Sequence, residues 1–165
     1  MKLFFGADHA GFELKNLLRD YAIELGYEVE DLGAHEFDND DNYPDFILPV
    51  ARAVAKNSDS LGVILGGSGQ GEAMAANRIP GIRATTFYGP QLPVQAVDSS
   101  GRLSEDDLEM VRLSRSHNAA NVLSIAGRFV APDTAKKALK LWLGAETGVK
   151  PRYQARIDQV EQETT

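Results

Sequence analysis

The sequence predicts an α/β fold, with a five-stranded parallel sheet covered by helices on both faces. Three observations predict it. Five short strand-like runs alternate with longer stretches whose apolar residues recur at helical spacing. Past Lys2 the first run is apolar, and the third is apolar throughout, as strands covered on both faces must be. Glycine or proline stands at most of the junctions between the two patterns.

The first run, Lys2–Ala7, is short and apolar and reads as a buried strand. Phe12, Leu14, Leu17, Leu18, Tyr21, Ala22 and Leu25 then follow a helical repeat that Gly26 stops. Residues 27–32 form a second strand, and the acidic, polar stretch 35–42 is a loop. Pro44 opens a helix to about Lys56, with Ile47, Val50, Ala51, Val54 and Ala55 on one side. Residues 61–65 are the third strand. A glycine cluster leads into a short helix over 72–77, ended by the Ile79-Pro80-Gly81 turn. Residues 82–88 are the fourth strand. Pro90, Pro93 and several small polar residues make 89–101 a loop or insertion. Helical spacing resumes from Ser104 with Leu108, Val111 and Leu113, and Ser104 with Asp107 resembles a helix start. Residues 121–126 are the fifth strand. Pro132–Gly144 is a helix carrying Ala135, Leu139 and Trp142, and 152–163 is a terminal helix.

The 165 residues suit one domain, with no internal repeat and no linker. An apolar content of 43% and a charged content of 25% are ordinary for a globular chain, so disorder is expected only in the polar tail 161–165. The net charge of −7 repels nucleic-acid phosphates, which argues against a nucleic-acid partner. A small anion remains possible where cations converge. With no cysteine, neither a disulfide scaffold nor a thiolate metal site can form. No apolar run approaches the roughly 20 residues that span a bilayer, and the amino terminus lacks a signal peptide's apolar stretch, so a cytoplasmic protein without membrane contact is expected.

Ligands of open parallel sheets bind beyond the carboxyl ends of the strands. After the first strand comes Asp8-His9-Ala10-Gly11. This pair could steer a hydroxyl proton and contact an anion, or Asp8 could simply cap a helix with His9 in solvent. After the third comes Gly66-Gly67-Ser68-Gly69-Gln70-Gly71-Glu72. A tight turn needs one or two glycines; this many, ahead of a helix, favour a loop whose N–H groups hold a phosphate or an oxyanion. The loop matches neither the dinucleotide fingerprint nor the P-loop. Glu72 is either a surface carboxylate favoured by the helix dipole or a general base. The dipole lowers its pKa, and burial against substrate would have to raise it. His117 could be a helix-terminus cation or a functional imidazole. Arg152 and Arg156, four residues apart, share a helix face and, with Arg128 after the fifth strand, could grip a phosphate or serve as salt-bridge partners.

Together these stretches resemble the type B ribose-5-phosphate isomerases, a family that includes the galactose-6-phosphate isomerase subunits. The resemblance is carried by Asp8-His9-Ala10-Gly11, Tyr43-Pro44-Asp45, the glycine loop with Ala75-Ala76-Asn77-Arg78-Ile79-Pro80-Gly81-Ile82-Arg83-Ala84, and His117-Asn118 before Asn121-Val122-Leu123. Trp142-Leu143-Gly144, Arg152 and Arg156 extend it over nearly the whole chain. It implies a Rossmann-like three-layer α/β/α fold and a homodimer with active sites at the subunit interface, often paired into a tetramer. The implied reaction interconverts an aldose and a ketose phosphate through an enediolate, without metal or cofactor. By position, Asp8 and His117 assist ring opening. His9, Arg128, Arg152 and Arg156 hold the phosphate, and Asn118 binds a sugar hydroxyl. The N–H groups of Gly67, Gly69, Gln70 and Gly71, with Ser68, stabilise the enediolate, and Tyr43 joins the substrate contacts.

Two departures stand out. Many members carry a cysteine base where this chain has Gly66; another branch uses a glutamate at the position of Glu72, and this chain follows it. An insertion, about 90–107, stands where most members pass directly from strand to helix. On this reading Glu72 moves one proton between adjacent sugar carbons. A tetrose or hexose phosphate as substrate, or a sugar-phosphate-binding protein without turnover, are the rival readings.

Overall fold

A computed structural model of the chain describes residues 1–148 and 150–163. The elements run β1 (Lys2–Ala7), α1 (Phe12–Glu24), β2 (Glu28–Asp31), α2 (Pro44–Lys56), β3 (Ser60–Gly66) and α3 (Gln70–Ala76). They continue with β4 (Ala84–Phe87), α4 (Glu109–Asn118), β5 (Val122–Ala126), α5 (Pro132–Gly144) and α6 (Pro151–Gln162). The strands form one sheet in the order β2-β1-β3-β5-β4, every neighbouring pair parallel.

Alternate strand residues supply two cores, because side chains along a strand point to opposite faces. Leu3, Phe5, Leu61, Val63, Leu65, Leu123 and Ile125 meet α1, α4 and α5 through Leu18, Val111, Leu139 and Trp142. On the opposite face, Phe4, Ile64 and Val122 meet Ile47, Val50, Ala51 and Val54 of α2 and Ala76 of α3. This is the expected three-layer α/β/α arrangement. α6 lies outside these layers and packs on α4.

One buried polar knot ties the outer strand to this body. The ammonium of Lys15, on α1, is fully buried and donates to both Asp31 carboxylate oxygens at 2.8 and 2.7 Å and to the Ala34 carbonyl at 2.6 Å. Burial would raise the pKa of Asp31, but hydrogen bonds from Lys15, the Gly33 N–H and Arg19 outweigh it and hold the carboxyl below its ordinary value. The loop after β2 therefore leaves the sheet from a fixed point.

The element order is as expected, and the differences lie at boundaries. α3 begins at Gln70, so Glu72 stands inside its first turn. β4 is shorter than residues 82–88, because Ile82 turns into the α2–α3 core instead of joining the ladder. Ser104 does not start α4: its hydroxyl donates to Glu109 at 2.9 Å, and the helix begins at Glu109 with no side-chain cap. At 161 and 162 the expected terminal helix prevails over the expected disordered tail, and 164 and 165 lie outside the described residues. Among the described residues no helix is long and apolar enough to cross a membrane.

Candidate active site

The sheet order changes direction between β1 and β3, since β1 leads outward to β2 and β3 leads to the opposite edge. Such a switch point leaves a crevice beyond the strand ends. Ala7 pairs with Leu65 and Gly66 with Ala126, so the segments after β1, β3 and β5 emerge at nearly one level.

The glycine loop is built inward from β3. Gly69 has φ +74°, and a Cβ there would lie 3.0 Å from both Ser124 Oγ and Thr86 Cγ2. Only glycine suits both the conformation and the space. The Gly69 carbonyl accepts from the buried Ser124 hydroxyl at 2.7 Å and from the Ala73 N–H at 3.1 Å. Gly66 and Gly67 carbonyls accept from the Gly127 and Arg128 N–H groups at 2.9 and 3.1 Å. The carbonyls of Gly66, Gly67 and Gly69 are thereby tied to β5, the turn after it and α3. Ser68 Oγ accepts from the Gln70 N–H at 3.3 Å, while the Gln70 side chain is exposed.

Glu72 is 4% exposed, and its carboxylate folds back onto Gly66. Burial raises its pKa, and the negative charge of Asp8 adds to the rise. The N–H groups of Glu72 itself and Gly69 pull the other way and lose. The conflict between dipole and burial is thus decided for burial, which leaves a carboxylate suited to accepting protons nearer neutrality.

Of the two readings of Asp8, the structure shows the cap. Asp8 Oδ1 caps the turn into α1, accepting from the Ala10 and Gly11 N–H groups at 3.0 and 3.3 Å, and its charge still reaches Glu72. His9 is not loose in solvent: its Nδ1 lies 2.7 Å from Asp41 Oδ1, which also accepts the His9 backbone N–H at 3.1 Å. The Tyr43 ring covers Gly71, whose Cβ would stand 3.2 Å from Tyr43 Cζ. Arg128 is exposed, with its stem beside Gly67. Asp8, His9 and Asp41 offer ligand atoms within 4.8 Å of one another and could hold a cation, although the His9–Asp41 bond already uses two of those atoms.

The remaining predicted residues lie elsewhere. His117 and Asn118 end α4, three residues before β5 begins, and so stand at the amino-terminal edge of the sheet. Val122 is level with Gly62 and Ala126 with Gly66, four residues or about 13 Å further along. The His117 ring stacks on Tyr153 of α6 at 4.0 Å and 28°. Burial lowers its pKa, with Asp98 raising it and Arg102 and Lys150 lowering it further. The insertion therefore runs beside this histidine. Arg156 lies 5.9 Å from the Tyr153 ring centre and, with Asn118, lines a cavity of about 350 Å³; Arg152 is exposed on the same helix. One chain thus gathers Asp8, His9, Tyr43, Ser68, Glu72 and Arg128 at one end of the sheet. It gathers His117, Asn118, Arg152 and Arg156 at the other.

Residues 3–99 and 105–160 match the sequence profile of the family described as Ribose/Galactose Isomerase. The chain belongs to that family. The unmatched residues 100–104 fall within the expected insertion. The chain is 34% identical over 158 residues to ribose-5-phosphate isomerase B of Mycolicibacterium paratuberculosis, covering 96% of this chain and 88% of that protein. It is 35% identical over 161 residues to ribose-5-phosphate isomerase B of Escherichia coli, covering 96% and 93%. Among solved structures, ribose-5-phosphate isomerase B of Mycoplasma genitalium with bound ribulose-5-phosphate superposes with a TM-score of 0.84 at 32% identity, covering 98% and 95%. The Clostridium thermocellum protein of the same name gives 0.82 at 35% identity, covering 99% and 97%.

For a Ribose/Galactose Isomerase, reading the sequence missed Asp41, which sits in a run of acidic residues with nothing to single it out. It also missed Ser124 and Thr86, whose hydroxyls hold Gly69. A polar residue inside an apolar strand was the only available signal for Ser124.

Proposed function

We propose that this protein interconverts ribose 5-phosphate and ribulose 5-phosphate through an enediolate, with Glu72 as the base. The observation that carries the reading is the buried Glu72 carboxylate, raised in pKa and set against the Gly69 N–H of the glycine loop. The names of the relatives, and the ribulose-5-phosphate in the Mycoplasma genitalium structure, support the pentose.

In the open-chain aldose, Glu72 takes the proton from the second carbon and returns it to the first, while the hydroxyl proton on the second carbon's oxygen passes to the first carbon's oxygen, so that carbonyl and hydroxyl exchange places. Charge moves onto the sugar oxygens, where Ser68 and the N–H groups of Gly67 and Gly71 stabilise it, a contribution of about 3 kcal/mol per donor; the Gly69 N–H serves the Glu72 carboxylate and the Gln70 N–H the Ser68 oxygen. One carboxylate suffices because both transfers occur on one face of the enediolate. Tyr43 closes the site over Gly71. Asp8 and His117 assist ring opening, and Asn118 holds a sugar hydroxyl. His9, Arg128, Arg152 and Arg156 grip the phosphate, far from the reacting carbons, where binding energy serves positioning.

The whole chain acts as one isomerase domain within a homodimer. Glu72 and His117 stand at opposite ends of the sheet, so a complete site needs His117, Asn118, Arg152 and Arg156 from a second copy. A cysteine-free metabolic enzyme of this kind works in the cytoplasm, with neither nucleic acid nor membrane as partner.

Exchange of solvent deuterium into substrate, measured over tetrose, pentose and hexose phosphates, tests the assignment. Incorporation is expected into the pentose phosphates alone. Glu72→Gln should reduce it by roughly 10²–10⁴-fold while sugar-phosphate binding persists. A Gln variant that exchanges as fast as the parent excludes Glu72 as base.

A further inference from the structure

We propose that Asp41 is a positioning residue for the phosphate grip: it fixes the imidazole of His9 so that Nε2 faces the sugar phosphate. The proposal rests on the isomerase reading above, in which His9 holds phosphate.

Asp41 comes from the loop between β2 and α2, 32 residues from His9. Its side chain is only 7% exposed. Oδ1 accepts twice from one residue, from His9 Nδ1 at 2.7 Å and from the His9 backbone N–H at 3.1 Å. Oδ2 is buried with no partner. A carboxylate retained merely to staple a loop would have both oxygens satisfied, since burying an unmatched charged oxygen is costly. Here both bonds converge on the histidine.

That convergence settles the ring. With Nδ1–H donated to Asp41, the imidazole cannot turn over without breaking the bond, and Nε2 is left as the atom facing away from the carboxylate. A ring so held gives Nδ1–H to Asp41, and a proton on Nε2 would make the second bond, to a phosphate oxygen. The neighbouring Asp8 has its Oδ1 bonded to the Ala10 and Gly11 N–H groups, and a ligand oxygen of it stands within 4.8 Å of a His9 ring nitrogen. A Cβ on Gly67 would stand 3.8 Å from Ala10 Cβ and 3.7 Å from Arg128 Cδ, so the His9 turn and Arg128 flank the same point of the loop. Asp41 thereby orients one of two nitrogen donors at that point, the His9 ring beside the Arg128 guanidinium, without touching substrate. The anchored start of the loop, through Lys15 and Asp31, keeps it in reach.

Two measurements test this. Long-range ¹H–¹⁵N spectra of the histidine rings, with His9 assigned by its loss in His9→Gln, should show Nδ1 protonated in the parent and tautomer exchange in Asp41→Ala. Titration with inorganic phosphate should perturb the His9 ring nitrogens in the parent at concentrations at least tenfold below those needed in Asp41→Ala. In turnover, Asp41→Ala should raise KM for ribose 5-phosphate roughly tenfold with a much smaller change in kcat. Asp41→Asn keeps an acceptor oxygen and the loop's shape, and should restore both the tautomer and most of the KM. An unchanged His9 tautomer in Asp41→Ala, or a fall in kcat at constant KM, overturns the proposal. A parent protein with no isomerase activity overturns the isomerase reading instead, while the spectra and the phosphate titration still decide the role of Asp41.

Discussion

Oε1 of Glu72 occupies the space in which a Cβ on Gly66 would stand, closer than any real Cβ contact allows. The carboxylate reaches this place from the first turn of α3, six residues along the chain. The resemblance implies a cysteine base at the position of Gly66 in many members of the family, and a glutamate at the position of Glu72 in the branch that this chain follows. Glycine at 66 and glutamate at 72 are therefore one arrangement: the first vacates the volume that the second fills.

Gly66→Ala should displace that carboxylate. Turnover is expected to fall about 10²-fold or more, approaching the loss in Glu72→Ala. Pairing Glu72→Ala with Gly66→Cys puts a thiol into the vacated volume, and should recover part of the rate together with sensitivity to alkylating reagents. Steady-state kinetics of the single and double variants check both outcomes; full activity in Gly66→Ala would show that the carboxylate works from another place.

The acid limb of the pH profile of kcat/KM should lie above the ordinary glutamate range of about 4.3, because burial and Asp8 raise the pKa of Glu72 and the base must be ionised to act. Asp8→Asn removes a negative charge beside it and should move that limb to lower pH, whatever it does to the maximal rate.

The same shift carries a stability cost at neutral pH. A carboxyl whose folded pKa is raised favours folding when protonated, and that advantage disappears as pH rises from the unfolded pKa through the folded one. Glu72→Gln stays neutral throughout. It should melt roughly 2–4 °C above the parent near pH 8, with the difference shrinking toward pH 4 in calorimetric scans.

Asp31 has the opposite sign. Its folded pKa is depressed, so its stabilisation is present above the unfolded value of about 3.9 and is lost as pH falls through the folded value. Lys15→Met leaves the carboxylate without its ammonium and should cost about 3–5 kcal/mol at pH 7. Urea unfolding should show that penalty shrinking as pH falls below about 3.9.

Mixing two inactive variants tests the shared site. If Glu72 and His117 act from different subunits, re-assembled Glu72→Gln and His117→Ala chains form heterodimers with one intact site, about a quarter of all sites on random pairing. Activity should return to that level. No recovery after verified subunit exchange would place both residues in a site within one chain.

Much of this was legible in the chain itself. The element order followed from apolar periodicity and from breakers such as Gly26 and Pro44, which act over a few residues. Ser104 misled, because its hydroxyl serves the Glu109 carboxylate and not a helix N–H. Asp8, the glycine loop and Arg128 could be placed beyond the strand ends because a strand end can be read locally.

By itself the sequence determined which residues stand at which strand and helix ends. Only the tertiary structure decided that Glu72 is buried more strongly than its helix dipole opposes, that Asp41 holds His9, and that Glu72 and His117 face opposite ends of the sheet. The physical reason is range: periodicity and turn chemistry act between near neighbours, whereas desolvation and ion pairing depend on elements far apart in sequence that folding brings together.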